Sequence, residues 1–256
     1  MLPTPAAGSC STGCARTMGR AVAARSEDCA VTSDRAKRPL SCPFALAPRL
    51  RSPLTMTPRA TDWRTTPLRD LGLSLGESLA EVVEQLREEL RQRGITRVRP
   101  RVYLSTEWGV PFGTVAVAIP FYLARIELAR FHADRAGYVE GIDRDDILRY
   151  LRHEMGHVIN YAYKLYEEPQ WIRLFGDINL DYREEYRPRL FSPDHVLHLP
   201  GWYAQKHPDE DWAETFAVWL TPGLDWRTVY VRRPGALAKL DYCEGRDGWH
   251  GRETVP

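Results

Sequence analysis

Leu75, Leu79, Val82, Val83, Leu86 and Leu90 recur at the three- and four-residue steps of a helix, with charged residues between them. The stripe predicts an amphipathic scaffold helix over residues 74–93, with Ser74 and Glu77 as a capping box and Gly94 as its stop. Val98, Val102 and Leu104 then alternate with polar neighbours and predict a strand, whose Pro100 suits a sheet edge. Past the turn-like Trp108, Gly109, Pro111 and Gly113, a second strand is expected over 114–119, with helix after Leu123. A further stripe, Ile147, Leu148, Leu151, Met155, Val158, Ile159 and Ala162, marks a helix with Asp143 as N-cap and Asp146 favouring its first turn. Pro208 can open another, with Asp209, Glu210 and Asp211 at the positive end of its dipole and Pro222 and Gly223 after it. Residues 234–242 read as a terminal helix, and no internal repeat is found.

The helix through Met155 carries the run LRHEMGHVINY, and with it the chemistry. Residues four apart share a helix face, so the imidazoles of His153 and His157 converge on one ion. Glu154, next to the first of them, stays within reach of water held by that ion. Catalytic zinc takes three protein ligands and keeps a fourth position open, so one more ligand must come from elsewhere. A histidine extension would need Gly at 160 and His at 163; the chain has Asn160 and Tyr163. Two carboxylates downstream, Glu210 and Glu214, are four apart and share a face, so one would bind zinc while the other holds a ligand histidine by its second nitrogen. Spacing leaves open which does which. His195, His198 and His207 lie near enough in sequence to be considered, each more simply as a loop or supporting histidine.

Tyr203, Glu210, Ala213 and Glu214 form the pattern Y-x6-E-x2-A-E, which resembles the active-site segment of the anthrax lethal factor group among the gluzincins. More closely, LRHEMGH, then LFGD and DY (Asp181 and Tyr182), then YAQKHPDEDWAETFA resemble a bacterial family of zinc-binding metallopeptidases with RHE-x-GH and HP-x-EDWAE signatures, over roughly residues 100–245. The resemblance implies zinc ligation by His153, His157 and Glu210, general base catalysis by Glu154, a supporting role for Glu214 and oxyanion stabilisation by Tyr203. It also implies an α+β, zincin-like catalytic domain over 61–256 with a small mixed sheet packed on the metal-binding helix. The expected activity is peptide-bond hydrolysis through a zinc-bound water, one Zn2+ per chain, on a peptide or protein substrate. The competing reading is a non-catalytic, zinc-stabilised domain that binds peptides without cutting them. Glu154 speaks against it, since a structural site has no use for a carboxylate there.

Composition adds little to this. The 256 residues are 43% hydrophobic and 27% charged, with a net charge of +1, which gives no case for a nucleic-acid partner. No run approaches the ~18 apolar residues that span a bilayer, so a membrane partner is not expected. Residues 1–60, rich in Ala, Pro, Ser, Thr and Arg, lack any period and read as a disordered tail, with Met56 a candidate translation start. Cys10, Cys14, Cys29 and Cys42 fall in it without a histidine, so reduced thiols in a cytoplasmic protein are expected. Cys243 stands apart and reads as a small buried residue.

Overall fold

The stripe of Leu79, Val82, Val83, Leu86 and Leu90 folds as α1, Glu77–Gln92, and is buried along its whole length. The computed structural model describes residues 63–182 and 185–246; the expected tail, its four cysteines and Met56 lie outside them. No capping box forms at α1. The N-cap is Gly76, which makes no side-chain cap, because Leu75 packs against the core and holds the chain extended up to Glu77. At the other end Gly94, at φ 77°, donates to the Arg91 carbonyl and Ile95 to that of Leu90. This is a Schellman closure, and Leu90 and Ile95 supply its hydrophobic contact.

Strand β1 is Arg101–Ser105 and β2 is Ala116–Pro120. They pair in parallel, Tyr103 opposite Ala118, which corrects the expected mixed sheet. Residues 106–115 carry the chain back along β1 in place of a hairpin, and on the way Gly109 meets the free side of β2, its carbonyl accepting from Ala118 at 2.8 Å. That single bridge is the antiparallel pairing seen among the described residues. Pro100 precedes β1, where its missing N–H costs no ladder bond.

After a 3-10 turn at Phe121–Ala124 come α2, Ile126–Ala136, and α3, Arg144–Tyr163. Asp143 caps α3 by accepting from the Asp146 amide at 2.9 Å. Leu151, Met155, Val158 and Ile159 are fully buried, between β2 and α1 on one side and α5, Pro208–Leu220, on another. Helix α4, Pro169–Phe175, α6, Trp226–Val229, and α7, Pro234–Glu244, pack behind α5 or close the chain around it. Lys239 of α7 pairs with buried Asp211 at 2.5 Å, while Cys243 is buried, a small core residue as its setting implied. No helix among the described residues is long and apolar enough to cross a membrane.

In the core, α3 and α5 approach each other closely. A Cβ placed on Gly156 would stand 2.6 Å from Ala213 Cα, so only glycine lets the two backbones come this near. Trp212, fully buried, donates its indole N–H to the Gly156 carbonyl at 2.7 Å and locks the crossing.

Candidate metal centre

The α3–α5 crossing sets the two halves of the H-E-x-x-H and E-x-x-x-E patterns against each other. His153 Nε2 lies 3.0 Å from Glu210 Oε2 and 3.2 Å from His157 Nε2, and His157 Nε2 lies 3.4 Å from the same Glu210 oxygen. A tetrahedral zinc with bonds of about 2.0–2.1 Å separates neighbouring ligand atoms by about 3.3 Å, so these three spacings fit one such ion. His153, His157 and Glu210 are all buried, and are the group of the described residues that could hold a metal ion.

The far sides of the rings explain the need for a cation. His153 Nδ1 faces Glu214 Oε1 at 3.0 Å, and His157 Nδ1 faces Asp209 Oδ2 at 2.9 Å. A carboxylate there draws the ring proton to Nδ1 and leaves a lone pair on each Nε2. Two lone pairs and a carboxylate oxygen then face one point inside the protein, an arrangement that a positive charge relieves. Burial alone would depress the His153 pKa, yet its bonds to Glu210 and Glu214 raise it to about 9. His157 is likewise raised against its burial, chiefly by Asp209. Glu210 is held well below the usual carboxylate range, His157 overcoming the burial that would raise it. A metal bound here would displace the Nε2 protons that these raised pKa values favour.

Glu214 is fully buried, and besides His153 it accepts from the backbone amides of His198 and Leu199 at 3.0 and 2.9 Å. Asp209 is the partner that the sequence did not single out. It accepts from Asn160 Nδ2 at 2.7 Å and from the Tyr161 hydroxyl, which fixes the plane in which it meets His157. One signal was present: Tyr161 follows His157 by four residues and so shares its face. Replacing Asp209 with asparagine is expected to weaken zinc binding about 10- to 100-fold, as loss of a ligand-orienting carboxylate generally does. Competition with a chromogenic chelator measures this, and an unchanged affinity would remove Asp209 from the site.

Glu154 is 5% exposed and makes no hydrogen bond among the described residues. Burial raises its pKa, while His153 and His157 pull it down. Tyr203, on the 3-10 turn Tyr203–Gln205, sits with its ring 5.7 Å from that of His153. Its hydroxyl lies 3.1 Å from that of Tyr182, which in turn donates to Glu210 Oε1 at 2.8 Å. Tyr182 belongs to the DY pair of the family-like pattern, but no spacing gives it a role, and the folding of residues 177–182 brings its hydroxyl to Glu210. His195, His198 and His207 stay out of the cluster. His195 bonds Ser192 Oγ and His198 the Arg149 carbonyl, both kept neutral by burial with pKa values of about 4. His207 is the N-cap of α5 and donates to Leu180.

Two cavities of about 570 and 550 Å³ meet at His153, Glu154 and Tyr203, so the centre lies in a cleft that continues on both sides. Two helices thus present a carboxylate and two imidazoles to one point, a donor set that could hold a metal ion, with the Glu154 carboxylate beside it. Residues 142–224 match the model of the family described as "Putative zinc-binding metallo-peptidase". The match is narrower than the stretch over which the sequence motifs suggest the likeness, and takes in all of α3 and α5. No curated protein and no solved structure matches the chain.

Proposed function

We propose that this protein is a zinc-dependent metallopeptidase of the gluzincin type, on a zincin-like fold, with His153, His157 and Glu210 as zinc ligands. The observation that carries the reading is Glu154: a buried carboxylate without a hydrogen bond among the described residues, opening on a cleft beside three converging ligand atoms. A structural zinc site would have its neighbours paired and its cleft filled. Zinc, when bound, supplies Lewis acidity towards the peptide carbonyl and towards water.

The chain's own residues do the rest. Glu154 takes a proton from the attacking water and passes it to the leaving amine. Tyr203, whose hydroxyl is kept protonated by burial and by Glu210, donates a hydrogen bond to the developing oxyanion, and Tyr182 orients it. Glu214 and Asp209 hold the two ligand rings. Along the cleft, the segment at Gly109 offers backbone groups to an extended substrate.

Metal analysis of the purified chain should find about one zinc per molecule, and a peptide library should be cut in a way that chelator abolishes and added zinc restores. A protein that binds no zinc, or whose peptide cleavage is indifferent to chelator, would refute the proposal.

A further inference from the structure

The cleft is not alike on its two sides. The cavity towards the Tyr182 loop carries Lys206, whose ammonium lies 4.4 Å from the centroid of the Tyr182 ring. The cavity beyond Glu154, towards the segment that follows α2, has no lysine or arginine among the described residues of its wall, yet Glu140 and Asp146 line it, and Glu107 stands where the two cavities meet. Asp146 is already engaged, by Arg149 at 3.0 Å and by the amides of Gly141 and Ile142. Glu107 and Glu140 have no hydrogen bond or ion pair to their carboxylates among the described residues. The Glu140 pKa is raised by partial burial and by Asp146, with His132 in opposition and Glu107 adding to it.

The remaining walls are aromatic. Trp108 stacks on Tyr150 at 5.4 Å and 10°, held by its indole N–H on the Glu140 carbonyl at 3.3 Å, and Tyr138 is 63% exposed. Aromatic faces beside unpaired carboxylates attract a cation, by ring quadrupole and by charge together. The buried Glu154 opens on the same space. We infer that this cavity, framed by Trp108, Tyr138 and Tyr150, receives the lysine or arginine side chain of a substrate residue next to the scissile bond. The inference rests on the metallopeptidase reading. A volume of about 550 Å³ leaves room for a long side chain, more than a bare terminal ammonium occupies.

The test uses zinc-loaded Glu154→Gln protein and a neutral decapeptide frame with one lysine moved along it, beside the same frame carrying norleucine. Binding is read by fluorescence polarisation, with every peptide in free and N-acetylated form. At one lysine position affinity should exceed that of norleucine by about tenfold, whether or not the terminus is acetylated. Adding Glu107→Gln and Glu140→Gln should bring that ratio close to one while zinc content holds. Equal binding of lysine and norleucine at every position overturns the inference, as does a ratio that survives the double substitution. A dependence on the free terminus alone overturns it too, and assigns the cavity to a terminal amine. The underlying reading fails separately, when the parent protein shows no chelator-sensitive cleavage.

Discussion

Glu154→Gln should leave one zinc bound per chain and lower kcat/KM for peptide cleavage by about 10³-fold, at the heart of the range for a lost general base. Glutamine keeps the volume and the buried position of the side chain, so the helix and its ligands need not move. What it loses is the power to accept a proton. Glu154 has no hydrogen bond to lose among the described residues, so little stability is at stake and the effect should fall on kcat. Burial raises its pKa, which favours proton uptake, while His153 and His157 pull it down. Peptide kinetics alongside metal analysis separates the cases. Cleavage at near parental rate would show that Glu154 is not the base, and loss of zinc would make it part of the metal's support.

Gly156→Ala should cost about 3 kcal/mol of stability and lower zinc affinity with it, although it adds a single methyl group and removes no ligand atom. The new Cβ would lie 2.6 Å from Ala213 Cα and 3.0 Å from the Ala213 carbonyl oxygen. Both are backbone atoms, so no side-chain rotation relieves the clash and α3 must part from α5. The same two helices carry His153 and His157 on one side and Glu210 and Glu214 on the other, at spacings of 3.0–3.4 Å. Their separation also stretches the Trp212 bond to Gly156. Thermal unfolding should shift down by roughly 10 °C for a domain of this size. A variant that melts and binds zinc as the parent does would mean that the helix crossing can yield at no cost, and that the glycine is not what sets it.

Much of the fold is legible in the sequence because periodicity is a local signal. The stripes of α1 and α3, the Asp143 cap and the Pro208 start of α5 each depend on residues within a few positions. The expected capping box at Ser74 shows the limit of a local signal: the pattern offers a cap, and the packing of partly buried Leu75 against the core outweighs it. The sheet departs from the expected mixed pairing because strand direction depends on the route of residues 106–115, which no period records.

For the site, the sequence by itself determined that two imidazoles and a carboxylate share one helix, and that two further carboxylates share another face downstream. It left Glu210 and Glu214 as rivals, because a spacing of four places both on one face and says nothing of which ring nitrogen each will meet. Only the tertiary structure decided that Glu210 meets His153 at Nε2 and Glu214 at Nδ1, and that Asp209 and Tyr182 join them. The physical reason is the approach of α3 to α5. A glycine's missing side chain permits it, but its angle and depth come from the packing of Trp212, Phe216 and the core around them.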